Sequence, residues 1–142
     1  MTVTSLHVYL AYRDAAAAID WLERALGFAC SMRCEDDQGL VAHAELRRDA
    51  AAVVLFADAG AGYGRPAPRG ETVGQGTYLA VTSPDVVDGV WEQALAAGAD
   101  PVWTPEWTPW GNYRCRVRDP EGYEWTFGVH RPGQEVACGR AS

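Results

Sequence analysis

The sequence predicts an α+β fold. Two tandem βαβββ modules form a curved mixed sheet around a cleft, with the helices outside. Three observations predict it. Helix signals recur at one spacing: Asp14 and Asp85 read as N-caps, Gly27 and Gly98 as helix ends, and both pairs lie 71 residues apart. Period-two alternation of apolar and polar residues surrounds each helical segment. The stretch Trp110 to Gly128, WGNYRCRVRDPEGYEWTFG, reads as strand, tight turn, strand.

The elements follow in order. Leu6, Val8 and Leu10 alternate with His7, Tyr9 and Ala11, which predicts a first strand. Its even-numbered residues pack under a helix, and the odd ones, His7 and Tyr9 among them, face the cleft. Asp14 caps a helix whose buried stripe is Ala15, Ala18, Ile19, Leu22, Ala25 and Leu26. Gly27 ends it. Phe28 to Glu35 is a strand, Glu35 to Gly39 a turn, Leu40 to Arg47 a strand, and Ala52 to Phe56 a fourth strand. The first module thus spans about 5–57. Residues 58–75, rich in glycine and proline, form a surface linker. Tyr63 in that linker is placed to fold over the cleft.

The pattern then restarts. Thr77, Leu79 and Val81 make a strand, and Asp85 opens a helix carrying Val86, Val87, Val90, Trp91, Ala94 and Leu95. Gly98 ends that helix and Val102 opens the next strand. In the closing hairpin, Tyr113, Cys115 and Val117 alternate with arginines, Asp119-Pro-Glu-Gly122 turns the chain, and Tyr123, Trp125 and Phe127 continue the alternation. The second module spans about 76–130. A polar tail, 131–142, follows. All 142 residues make one domain of two fused modules.

Composition excludes several classes of function. A net charge of −7 lacks the basic clusters that phosphate backbones require, so no nucleic-acid partner is expected. No apolar run approaches the ~18 residues of a membrane span. The start, MTVTSLHVYLAY, has no basic leader and enters a strand pattern directly. Cys30, Cys34, Cys115 and Cys138 contain no C-x-x-C pair, which points to reduced thiols and a cytoplasmic location. No nucleophile elbow, phosphate loop or dinucleotide fingerprint is present.

The motif R-D-P-E-G-Y-E-W-T-F at 118–127, together with the repeat, resembles the vicinal oxygen chelate superfamily of glyoxalases, extradiol dioxygenases and bleomycin-resistance proteins. The resemblance covers about residues 5–130. In metal-dependent relatives it implies a histidine on the first strand of each module and a glutamate on the last. Carried across by the 71-residue offset, those positions are His7 and Tyr78, and Leu55 and Thr126. Only His7 is a strong ligand, so the sequence is closest in kind to metal-free bleomycin-resistance-type proteins, with no cofactor. His43 and Glu45 share a strand face and could join His7 in a displaced metal set. The alternative is ion pairing across the sheet with Arg114 and Arg116, the residues 71 further on.

Trp103, Trp107 and Trp110 cluster within eight residues, interleaved with Pro105 and Pro109. Their spacing does not suit one strand face, so an aromatic rim on the cleft is expected, suited to a planar ligand. Trp21 and Trp91 read as helix packing residues. Arg114 and Arg116 share a face with Glu124 and Thr126, where they pair with Glu45 or Glu124, or grip a carboxylate or carbonyl of a ligand. The expected ligand-binding residues are therefore His7, Tyr9, Leu55, Tyr78, Trp103, Trp107, Trp110, Arg114 and Thr126. The expected function is metal-independent binding and sequestration of an aromatic small molecule such as an antibiotic, for self-resistance. The alternative is a glyoxalase-like lyase or isomerase. The resemblance also implies a homodimer.

Overall fold

The computed structural model describes residues 1–59 and 73–134. Its elements run β1 (Val8–Tyr12), α1 (Ala15–Leu26), β2 (Ala29–Glu35), β3 (Val41–Arg48), β4 (Ala51–Ala57), β5 (Gly76–Ala80), α2 (Pro84–Ala96), β6 (Asp100–Trp107), β7 (Tyr113–Arg118) and β8 (Glu124–Gly128). The chain divides into two compact units, with the boundary between Val73 and Gly74. Each unit builds its own four-stranded sheet, in the order β1-β4-β3-β2 in one and β5-β8-β7-β6 in the other. In both, the first strand pairs parallel with the last, and the remaining neighbours pair antiparallel. The repeat predicted by the helix signals is therefore present in strand order and direction.

In the first unit, β1 starts at Val8, two residues later than expected, and Leu6 is 92% exposed. Leu10 and Tyr12 point into the core while Tyr9 points out, which is the predicted alternation. The Asp14 carboxylate accepts the Ala17 N–H at 2.9 Å and starts α1. The whole predicted stripe of α1 is buried, and Trp21 with it. Gly27 adopts φ 71°, and its N–H closes on the Leu22 carbonyl. The Arg48 guanidinium donates to the Leu26 carbonyl at 2.6 Å, a cation where the helix end is electronegative.

In the second unit, the N-cap of α2 is Ser83, not Asp85: its Oγ accepts the Val86 N–H at 3.4 Å. Pro84 explains the earlier start. Its missing N–H and fixed φ suit the first helical position, leaving Asp85 in the first turn, where a carboxylate favours the helix dipole. At the other end, Gly98 has φ 89°. Gly98 N–H donates to the Leu95 carbonyl and Ala99 N–H to that of Ala94, both at 3.0 Å. The buried stripe of α2 narrows to Val87, Val90 and Ala94. Val86 and Trp91 are half-buried and Leu95 is exposed.

Strand β6 survives Pro101 and Pro105 because it is an edge strand, where a missing N–H costs no ladder bond. Its pairing with β7 slips between Pro101 and Trp103 and again between Trp103 and Glu106. The β7–β8 hairpin pairs Cys115 with Phe127 and Val117 with Trp125, all buried. Cys115 lies under α2, its Sγ 3.9 Å from the Val87 carbonyl, and burial pushes the thiol up to about 11. The Asp-Pro-Glu-Gly turn closes with Gly122 N–H on the Asp119 carbonyl at 2.9 Å, Gly122 taking φ 93°. No helix among the described residues is long and apolar enough to cross a membrane. Tyr63 and Cys138 lie outside the described residues.

Candidate functional site

Strand register fixes which side chains share the sheet face opposite the helices. In the second unit Trp103 pairs with Arg116, Arg116 with Thr126, and Thr126 with Tyr78. Residues directly opposite one another share a face, so these four form one row across the sheet. The row lies between the helix-facing pairs Cys115–Phe127 and Val117–Trp125. In the first unit the matching row is Met32, Glu45, Val54 and Tyr9.

The second unit's row is polar and internally bonded. Arg116 Nε donates to Thr126 Oγ1 at 2.7 Å, and its NH1 pairs with Glu124 Oε2 at 3.1 Å. Thr126 and Glu124 are both buried. The Arg116 guanidinium carbon lies 3.6 Å from the Trp103 ring centroid and that of Arg114 lies 4.3 Å from it. Both arginines thus bear on the Trp103 π-system, in cation–π geometry. Burial lowers the Arg116 pKa; Glu124 opposes that shift, while Arg114 and Arg118 add to it. Arg114 is bonded to Glu106 at 3.1 Å; its side chain is only 13% exposed, against 57% for Glu106.

Tyr78 leans from this row toward the far end of the sheet. Its hydroxyl donates to the His130 carbonyl at 2.7 Å and accepts from Asn112 Nδ2 at 3.2 Å. Burial raises its pKa, against the lowering effect of the bond it accepts from Asn112. Gly128 lies beneath: a Cβ there would run into the Tyr78 hydroxyl and approach the Asn112 amide at 2.8 and 2.9 Å. At the same end, Trp107 is 60% exposed and meets Tyr113 edge-on at 5.3 Å. Tyr113 donates to Asp88 at 2.7 Å, and that bond holds its pKa up. Trp110, 56% exposed, sits in the turn closed by Gly111 N–H on the Thr108 carbonyl at 3.0 Å.

Of the expected site residues, Tyr78, Trp103, Trp107, Trp110, Arg114 and Thr126 therefore belong to the second unit's sheet and its end turn. Trp103 shares its ring with two guanidinium groups, which leaves Trp107 and Trp110 as the more exposed platforms. His7, Tyr9 and Leu55 belong to the first unit. Tyr9 is on the open face, 5.9 Å from Phe56. Leu55 is not on that face. It is fully buried among Leu10 and Ala44 on the helix side. The cause is register: the 71-residue offset holds for β3 and β7 but becomes 72 between β4 and β8 and 69 between β1 and β5. Thr126 therefore corresponds to Val54, and Tyr78 to Tyr9. His43 and Glu45 pair with each other at 2.7 Å, while the two arginines pair with Glu106 and Glu124. Asn112, Gly128 and Glu106 were not among the expected site residues. For Asn112, the cue in the sequence was its place after a Pro-Trp-Gly turn.

A family model described as Glyoxalase/Bleomycin resistance protein/Dioxygenase superfamily matches residues 4–127. "Uncharacterized protein Mb0911c" of Mycobacterium bovis is 33% identical over 136 residues, covering 93% of this chain and 86% of that protein. The crystal structure of TioX from Micromonospora sp. ML1 is similar with a TM-score of 0.67 and 32% identity, covering 91% of this chain and all of that one. A lactoylglutathione lyase from Agrobacterium tumefaciens shares the fold, with a TM-score of 0.65 at 19% identity, over 90% of this chain and 95% of that one.

The chain belongs to the glyoxalase/bleomycin resistance protein/dioxygenase superfamily. The metal set implied for some members of that superfamily does not fit these residues. His7 itself could serve, since its Nδ1 donates to the Ala52 carbonyl at 2.9 Å and only the Ser5 hydroxyl stands at Nε2; the misfit lies with the other positions. Thr126 and Glu124 are engaged by a guanidinium, whose positive charge opposes a second cation beside it. Leu55 has no donor atom. Among the described residues, no three His, Cys, Asp or Glu side chains stand together to share an ion.

Proposed function

We propose that the protein binds and sequesters a planar aromatic small molecule at the β6–β7 end of the second unit's sheet, where Trp107 stands on the helix side beside Tyr113 and Trp110 in the following turn, without a metal. The observation that carries this reading is the pair of exposed rings, Trp107 and Trp110, at the sheet end where Tyr78 is anchored. Exposed tryptophans held on a strand end and a closed turn offer apolar area at small entropic cost. Arg116 of the central row is bonded to Thr126 and Glu124, and Arg114 beside it to Glu106, which suits a recognition surface more than a proton-transfer site. Self-protection against an aromatic or peptide antibiotic is the purpose we assign, in a cytoplasmic homodimer.

Titration of the intrinsic tryptophan fluorescence tests it. Proflavine, a planar cation, and anthraquinone-2-sulfonate, a planar anion, serve as probes. We expect saturable quenching by at least one, and roughly tenfold or greater loss of affinity in Trp107→Ala and Trp110→Ala, about 1.4 kcal/mol each. Unchanged affinity in both variants would make the rings structural. Absence of binding, together with turnover of the hemithioacetal of methylglyoxal, would replace sequestration with lyase chemistry.

A further inference from the structure

Asn112 is buried and spends its hydrogen bonds on three separate pieces of the second unit. Its backbone N–H donates to Thr108 Oγ1 at 2.9 Å, and its carbonyl accepts the Thr108 N–H at 2.8 Å. These bonds close the turn that carries Trp110 and follows Trp107. Its side-chain oxygen accepts the His130 N–H at 2.9 Å, and its Nδ2 donates to the Tyr78 hydroxyl at 3.2 Å. The amide cannot be turned around, because a backbone N–H can only donate and so must face the oxygen. Tyr78 completes the circuit by donating to the His130 carbonyl. Gly128 provides the room: any side chain there would collide with the Tyr78 hydroxyl and crowd the amide.

We infer that Asn112 is the positioning residue of the aromatic surface, fixing the Trp107–Trp110 turn against Tyr78. The turn holds two exposed rings on a short, partly irregular segment at the end of an edge strand whose pairing slips twice. Such a segment has few ladder bonds to hold it. The Asn112 amide supplies a link from it to the row Trp103–Arg116–Thr126–Tyr78, through the last member of that row. A buried amide with its donor and acceptor both satisfied has one favoured orientation, so it transmits position as well as stability. The inference rests on the proposed binding surface for its purpose, but not for its test.

Fluorine NMR of protein labelled with 5-fluorotryptophan provides that test. Trp107→Phe and Trp110→Phe identify two resonances, and Trp21→Phe and Trp125→Phe identify two core reference signals. Asn112→Ala is expected to shift or sharpen the Trp107 and Trp110 signals while those of Trp21 and Trp125 stay in place. Tyr78→Phe should give a similar change, and the double variant should add little to either single one, because both remove one link. Affinity for whichever of proflavine and anthraquinone-2-sulfonate the parent binds should fall roughly tenfold in Asn112→Ala, measured where the variant is fully folded. If Asn112→Ala does not fold, Asn112→Asp keeps the size and the acceptor for His130 while replacing the donor toward Tyr78; it should move the same two signals. Unmoved Trp107 and Trp110 signals overturn the inference, and so does equal movement of all four, which would mean general loosening. If the parent binds neither probe, the sequestration reading falls, and the fluorine signals still decide the role of Asn112.

Discussion

Asp119 carries more than a turn residue needs. Its Oδ1 accepts from the Glu121 and Tyr123 N–H groups at 3.0 Å each, and its Oδ2 accepts from the Trp125 indole at 3.1 Å. It is 2% exposed, and removing it takes a buried acceptor from an indole N–H and two turn amides. Asp119→Ala should therefore destabilise by about 2–3 kcal/mol, read by urea unfolding, with a change in the near-ultraviolet signal of Trp125. Gly128→Ala should cost about 1–3 kcal/mol by the same measurement, because the new methyl meets Tyr78 and Asn112. Alkali acts through Tyr78. Its folded pKa lies above the ordinary 10.0, so the neutral hydroxyl is the form the fold prefers. The stability it contributes is present below pH 10 and is lost as pH rises through the folded value, where ionisation removes the donor to His130. Tyr78→Phe should lose less stability than the parent between neutral pH and that range.

At the scale of elements, the two helices begin by different devices. In α1 a carboxylate caps, and in α2 a serine caps ahead of a proline. Ser83→Ala should cost about 1 kcal/mol in thermal or denaturant unfolding. Asp85→Ala should cost only a few tenths, the scale of a charge near a helix dipole. Equal costs would return Asp85 to the role of cap. Strand β6 shows how context settles what composition leaves open. Its prolines argue against a strand in isolation, and the edge position admits one with a broken register.

For the molecule as a whole, the tryptophans divide by burial. Trp21 is 4% exposed and Trp110 is 56% exposed. Trp21→Ala should lower stability by about 3–5 kcal/mol, while Trp110→Ala should stay within about 0.5 kcal/mol of the parent. The donor set also predicts that purified protein holds no stoichiometric zinc, nickel or iron by elemental analysis. About one tightly held ion per chain, released by His7→Ala, would overturn that expectation.

The two modules, their element order, both ends of α1 and the glycine after α2 were legible in the sequence, whereas the cap of α2 was not, because Ser83 and Asp85 are both capping residue types and only the position of Pro84 separates them. The legible signals are local: a capping carboxylate, a glycine at positive φ, and a run of alternating side chains act within a few residues of one another. The stripe of α1 and the hairpin at 113–128 are legible for the same reason. Tertiary structure decided the register. The 71-residue offset holds across β3 and β7, yet a slightly different connection length changes it to 69 at the first strands and 72 at the last. Side chains alternate with period two, so a shift of one residue moves a side chain to the opposite face. That is why Leu55 is in the core while Thr126 is on the open face; the two-residue shift at the first strands keeps the face and makes Tyr9 rather than His7 the match of Tyr78. The bonds that bring Asn112, Tyr78, Gly128 and His130 together span up to 52 residues of chain, and no local pattern encodes a contact between groups so far apart.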